Sequence, residues 1–391
     1  MFNIFYHKNI IPKKEALVLY NLVMRTIYKN ANIFLNGKFK LGSAVINNNI
    51  LEDFIFGEIK KNKAQKIIDL KGKYFVPKFV ETHIHGAFGF GADGNSKDLL
   101  NLSKKLFKVG VGAFCPTLYP SAPSEMIEKL KSFSSIIGKE KGTRIIGFHL
   151  EGPFLSPQKP GVMKPRDIKE IDISLIEKLY KAANGKIISI TAAPELKNFN
   201  KLAAWCKKNK VLLQLGHTNA TYQDMQKAFK LGAKHITHFF LAMSARHHRK
   251  PGAVGAGLIN KDFSLELLAD GHHILPEIIK LVFALKDKNK IVLITDSLTP
   301  SGLKKGLANG EEVIFKNGVF VRKKDGVIAG STLTMQQGIK NLIAWGIAPE
   351  VAFLCATTNP AKLFNAREGF FKKGQKITFN IFDKKFNLVK I

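Results

Sequence analysis

The middle of the chain repeats one pattern. A short apolar run ends on a polar residue, and an amphipathic stretch follows before the next run. Residues 211–215 lead into Gly216-His217, and residues 235–240 carry Thr237-His238. Between them, residues 222–231 set Met225, Ala228, Phe229 and Leu231 at helical spacing, with Gly232 as the stop. The spacing predicts a strand-helix-strand unit with an imidazole at the end of each strand. Further apolar runs at 79–81, 113–118, 145–148, 187–191, 265–269 and 291–295 bring the predicted strands to eight. Helical stretches at 99–109, 124–137, 174–181, 200–207 and 276–285 lie between them. Eight such units make an α/β chain whose economical fold is a TIM-like (β/α)8 barrel, with its chemistry on the rim at the strand C-terminal ends.

The two ends of the chain have a different texture. Short β segments at 31–34, 45–46, 54–56, 67–70 and 74–76 are separated by turn residues such as Asn36-Gly37 and Lys71-Gly72. Residues 376–382 and 386–391 repeat it. The expected organisation is a small β-sandwich domain from 31–76 plus 366–391, a barrel over 77–365, and an N-terminal extension over 1–30.

Composition narrows the class. The chain has 391 residues with 45% hydrophobic content and 30 Phe, which describes a globular protein with an ample core. Its formal charge is +31, and 54 of the 61 basic residues are Lys, spread along the chain. A nucleic-acid surface gathers its cations and draws on Arg, so no specific nucleic-acid partner is expected. The charge does keep one alternative open, a non-catalytic basic protein that binds polyanions. No apolar run reaches the 18 residues of a membrane span. Cys115, Cys206 and Cys355 are isolated, which argues against disulfides and thiolate zinc sites and suits a reducing cytoplasm.

The polar strand ends then become informative: His83, His85, Glu151, His217, His238, His273 and Asp296. Ten of the eleven histidines lie between 83 and 273. Imidazoles and carboxylates suit a divalent cation, zinc or iron(II), and a catalytic site of that kind pairs the cation with a separate carboxylate that moves a proton.

Several segments together carry a resemblance. They are Phe148-His149-Leu150-Glu151-Gly152-Pro153, Gly216-His217-Thr218-Asn219-Ala220, Thr237-His238 with Ala242-Met243, and His247-His248-Arg249-Lys250-Pro251-Gly252. Ala269-Asp270-Gly271-His272-His273, Thr295-Asp296 and Ala329-Gly330-Ser331 complete the set. In this order they resemble the N-acetylglucosamine-6-phosphate deacetylase family of the amidohydrolase superfamily. The resemblance implies hydrolysis of an acetamide on a phosphorylated amino sugar, with one or two divalent ions and a homodimer. It implies that Glu151, His217 and His238 are metal ligands and that His83 and His85 are the pair that adds a second ion in some members. It casts Asp296 as the general acid and base and His273 as the contact to the substrate carbonyl. Arg249 matches a phosphate-binding arginine near the subunit interface. Leu241, Ala242, Ile328, Ala329 and Gly330 match groups that hold the sugar phosphate, with Val162 in the 159–163 loop. Two positions depart from the pattern: Leu241 stands where the family has Asn, and Met163 where it often has His. These changes leave a second enzymatic reading, an amidohydrolase acting on a different N-acyl sugar or amide.

Overall fold

The computed structural model describes residues 25–59 and 66–390. Eight parallel strands form the barrel: Phe79–Ile84, Val111–Leu118, Phe148–Glu151, Ile187–Ala192, Leu212–Leu215, His235–Ile236, Ser264–Leu268 and Ile291–Ile294. Each pairs with the next in sequence. The last meets the first just beyond its end, where Asp296 N donates to His83 O at 3.0 Å and His85 N to Ser297 O at 3.0 Å. That closure makes the rim a ring.

Strand periodicity explains which residues the ring can use. Alternate side chains face opposite sides of a strand, so one set packs under the helices and the other fills the barrel. Phe148 and Leu150, Leu213 and Leu215, and Leu265 and Leu267 belong to the main hydrophobic core. The alternate positions are polar and buried: Glu81 and His83, His149 and Glu151, Ser189 and Thr191, His235 and Thr237, and Glu266. Their contacts are with one another across the interior, as when His149 meets Thr117 at 3.2 Å and Thr191 at 2.8 Å.

The helices fall close to the sequence expectation. The helix Ser96–Lys108 starts on the Asn95 side chain, which accepts from Asp98 N, and buries Leu99, Leu102 and Leu106. Tyr222–Lys230 begins with a capping box between Thr221 and Asp224. Pro276–Leu285 matches the sequence reading at both ends.

Two strand boundaries differ for a backbone reason, and one element is new. The third strand starts at Phe148, not at 145, because Gly147 adopts φ 145° and interrupts the chain there. His149 and Glu151 are therefore inside the strand. The sixth strand stops at Ile236, since His238 (φ 22°) and Phe240 (φ 81°) leave the β region. After the eighth strand the chain inserts a four-stranded antiparallel sheet, Lys305–Ala308, Glu311–Lys316, Val319–Arg322 and Ile328–Gly330, absent from the eight-unit reading.

The chain ends do pair. Leu388–Val389, Phe379–Phe382, Tyr74–Pro77, Arg25–Leu35, Lys38–Asn47 and Ile50–Ile55 lie side by side, with Lys66–Asp69 also paired to Arg25–Leu35. This single seven-stranded sheet curls until its far edge returns, Leu51 N donating to Gln375 O at 3.0 Å and Ile377 N to Asn49 O at 2.8 Å. Ala31, Ile33, Leu51, Phe75 and Ile381 fill the space enclosed. The extension expected over 1–30 lies outside the described residues for its first 24 positions. From Arg25 onward it belongs to a strand, with Ile27 fully buried.

Candidate active site

Six side chains from five strand ends meet at the rim. The Glu151 carboxylate is at the centre. Its Oε1 lies 2.8 Å from His238 Nε2, 3.1 Å from His217 Nε2 and 3.6 Å from His83 Nε2, and its Oε2 lies 3.0 Å from His85 Nε2. Asp296 Oδ1 stands across from these at 3.5 Å from His85 Nε2 and 3.6 Å from His83 Nε2. His238 Nε2 and His217 Nε2 are 3.1 Å apart. Two acid-imidazole groups result, His83 with His85 and Glu151, and Glu151 with His217 and His238.

The backbone aims these groups. His217 (φ 45°), His238 (φ 22°) and Asp296 (φ 45°) all take the left-handed region, which turns each side chain inward as its strand ends. For residues with a β carbon this conformation costs roughly 1–3 kcal/mol apiece. His217 is also fixed from outside, because its Nδ1–H donates to Lys159 O at 3.0 Å. Gly161, at φ 58°, allows that approach, since a β carbon there would sit 3.0 Å from His217 Cε1.

The donor set fits a divalent cation. Several imidazole nitrogens and a carboxylate crowd a buried place, with His83, His85, His217 and His238 all turning Nε2 toward Glu151. Burial opposes ionisation of Glu151, yet the hydrogen bonds from His217, His238 and His85 hold its pKa well below the usual value. Burial likewise opposes charge on His83, but Asp296, Glu266 and Glu151 overcome it and lift its pKa to about 10. The site favours positive charge at its centre, which a cation with nitrogen and oxygen ligands would satisfy.

A cavity of about 570 Å³ opens beside this cluster. Its wall contains the sequence-predicted His273, Leu241, Ala242, Val162, Ile328, Ala329 and Gly330, together with Met163. His273 is held by Asp270, whose Oδ2 accepts from His273 Nδ1 at 2.6 Å. Asp270 Oδ1 also accepts from the backbone nitrogens of His272 and His273. Arg249 is the exception. It is exposed on the 246–250 loop, bonded to His248, and does not line this chain's cavity.

Sequence reasoning missed two neighbours. Tyr119 lies against His85, and Glu266 sits beneath His83 and His238. Tyr119 follows its strand directly, and Glu266 is a lone acid among leucines in Ser264–Leu268; the alternation of that strand was the available signal.

The amidohydrolase family profile matches residues 74–390. An N-acetylgalactosamine-6-phosphate deacetylase of Escherichia coli O157:H7 is 32% identical over 81% of this chain and 85% of that protein. An N-acetylglucosamine-6-phosphate deacetylase of Bacillus subtilis (strain 168) is 34% identical over 68% of this chain and 69% of its own length. The crystal structure of N-acetylglucosamine-6-phosphate deacetylase from Thermotoga maritima superposes with a TM-score of 0.82 at 28% identity, over 93% of this chain and 96% of that one. Fold, buried acid-imidazole cluster and relatives agree: this chain belongs to the amidohydrolase family.

Proposed function

We propose that the chain hydrolyses the N-acetyl group of N-acetylglucosamine 6-phosphate, releasing acetate and glucosamine 6-phosphate for amino-sugar breakdown. The observation that carries the reading is the convergence of Glu151, His217 and His238 with Asp296 facing them beside an open cavity.

In this reading Glu151, His217 and His238 hold a divalent ion, with His83 and His85 available for a second, and zinc or iron suits the donors. A cation so held supplies Lewis acidity toward the acetamide carbonyl and makes water a better nucleophile at neutral pH. The chain's own residues do the rest. Asp296 accepts the proton of the attacking water and returns it to the departing nitrogen, so one carboxylate serves as base and then as acid. His273, oriented by Asp270, offers Nε2 to the substrate carbonyl, where a hydrogen on that nitrogen would bond the developing oxyanion. Leu241, Ala242, Val162 and the Ile328–Gly330 strand surround the sugar phosphate.

Arg249 completes the phosphate site in this reading only from a second copy of the chain. Its exposed position outside its own cavity supports a homodimer. So does an apolar face with Leu275, Ile278, Leu281 and Leu285 exposed along the edge of Pro276–Leu285. A reducing cytoplasm is the proposed compartment, and all three cysteines are buried and unpaired.

A second reading has its own support. The Escherichia coli relative is named for the galactosamine epimer, and Leu241 and Met163 put apolar groups in the cavity wall. The deciding assay measures acetate release from both hexosamine 6-phosphates and from unphosphorylated N-acetylglucosamine, with zinc, iron or manganese supplied. The glucosamine phosphate should be turned over fastest, and Asp296→Asn should lose on the order of 100-fold or more in kcat while retaining its metal. Equal rates without the phosphate would favour another N-acyl substrate. No hydrolysis with any of the three metals would end the enzymatic reading.

A further inference from the structure

Glu266 does not face the cavity, yet it touches both arms of the cluster. Its Oε2 lies 3.0 Å from His83 Nδ1, 2.8 Å from Thr237 Oγ1 and 3.2 Å from the backbone nitrogen of His238. Its Oε1 lies 3.3 Å from Thr82 Oγ1 and 3.5 Å from His235 Nε2. The side chain is fully buried, and every one of these contacts is to the first or the sixth barrel strand or the turn that follows it.

From these contacts we infer that Glu266 is the positioning carboxylate of the metal centre, setting the tautomer of His83 and the seat of His238 together. The inference rests on the metal-site reading given above. An ionised carboxylate can only accept, so His83 Nδ1 must carry the hydrogen shared between Glu266 and Thr237. With a cation in place of the Nε2 hydrogen, the lone pair of His83 is on Nε2, the atom that faces Glu151 and Asp296. The same carboxylate oxygen receives the His238 N–H where the backbone turns left-handed at φ 22°. Thr237 Oγ1 bridges the two, since it lies 3.0 Å from His83 Nδ1 and donates to Glu266. A buried carboxylate with only a structural task would need hydrogen bonds, but it would not need them from two metal arms at once. Carboxylates behind ligating imidazoles raise ligand basicity and fix ring orientation, and losing one weakens metal binding by about 10–100-fold.

The test uses Glu266→Gln, which keeps the shape but gives His83, Thr237 and His238, all of which meet one carboxylate oxygen, at best a neutral amide oxygen in place of an ionised acceptor. Zinc affinity is read by competition with a chromophoric chelator, and the coordination of substituted cobalt(II) by its visible spectrum. The expected result is a 10–100-fold weaker zinc affinity and an altered cobalt spectrum, with Glu266→Asp recovering part of both. Thr237→Val, which removes the bridging hydroxyl, should move affinity in the same direction by less. Glu368→Gln, at the opposite end of the barrel, serves as a stability control and should leave affinity unchanged. Unchanged zinc affinity and an unchanged cobalt spectrum in Glu266→Gln would overturn the inference, as would an equal loss in the Glu368 variant. Should the wild type itself bind no zinc, the metal-site reading fails first, and the two failures are told apart.

Discussion

The imidazole of His85 lies flat against the phenol ring of Tyr119, with centroids 3.8 Å apart and planes 1° from parallel. Tyr119 is thus a backing plate for one nitrogen of the cluster. Its own hydroxyl is buried without a hydrogen-bond partner among the described residues, and burial pushes its pKa far above the usual tyrosine value. Tyr119→Phe keeps the plate and removes the unpaired hydroxyl, so stability in urea should be equal or higher by about 1 kcal/mol. Tyr119→Ala should lower it by about 3–5 kcal/mol and reduce metal content, because His85 loses its support.

A cation that binds the folded centre and not the unfolded chain must stabilise the fold. At a zinc concentration a thousand times its dissociation constant the gain is about 4 kcal/mol. Calorimetry of metal-stripped protein should record a rising transition temperature as zinc is returned, reversed by chelation. A transition insensitive to zinc would contradict the cluster as a metal centre.

Leu241 and Met163 are both in the cavity wall, and neither can hydrogen-bond a phosphate or sugar hydroxyl as an amide or imidazole can. Restoring one hydrogen bond to a charged group is worth about 1.5–3 kcal/mol. Leu241→Asn and Met163→His should therefore lower KM for the phosphorylated sugar by roughly 10-fold while leaving KM for the unphosphorylated sugar unmoved. Steady-state kinetics on the pair of substrates decides this.

At the far end of the barrel Arg144 grips Glu368 with two bonds, Nε to Oε1 at 2.9 Å and Nη2 to Oε2 at 2.6 Å. Burial would raise the Glu368 carboxyl, and the Arg144 bonds outweigh it, bringing the pKa below the usual 4.5. A depressed carboxylate contributes stability above its unfolded pKa and loses it as pH falls through the folded one. Glu368→Gln should cost about 2 kcal/mol at pH 7 in urea unfolding, a half-buried value between surface and buried pairs. The difference from wild type should shrink toward zero in acid.

Much of the candidate site is legible in the sequence because strand ends advertise themselves. His83, His217, His238 and Asp296 each follow or close an apolar run, and barrel geometry carries such positions to one rim. Glu266 was not readable that way. One acid between Leu265 and Leu267 looks like a strand residue of unknown facing, and only closure of the ring puts it under His83 and His238. The inserted sheet did carry a signal in Asn309-Gly310 and Asn317-Gly318, whose four positive φ values make two tight hairpins. The eight-unit frame has no place for that sheet, although its last strand walls the cavity. Arg249 was named through the resemblance; it lies outside this chain's cavity, and in the proposed reading its reach ends on a different molecule.

The left-handed backbone at His217, His238 and Asp296 has a consequence for how such a chain can change over time. Mutations that relax these three corners would make a hardier protein and a blunter tool, so heat tolerance and turnover compete at the same addresses. Lineages pressed toward durability are expected to find it in the helices and the curled sheet, leaving the uncomfortable rim as it is.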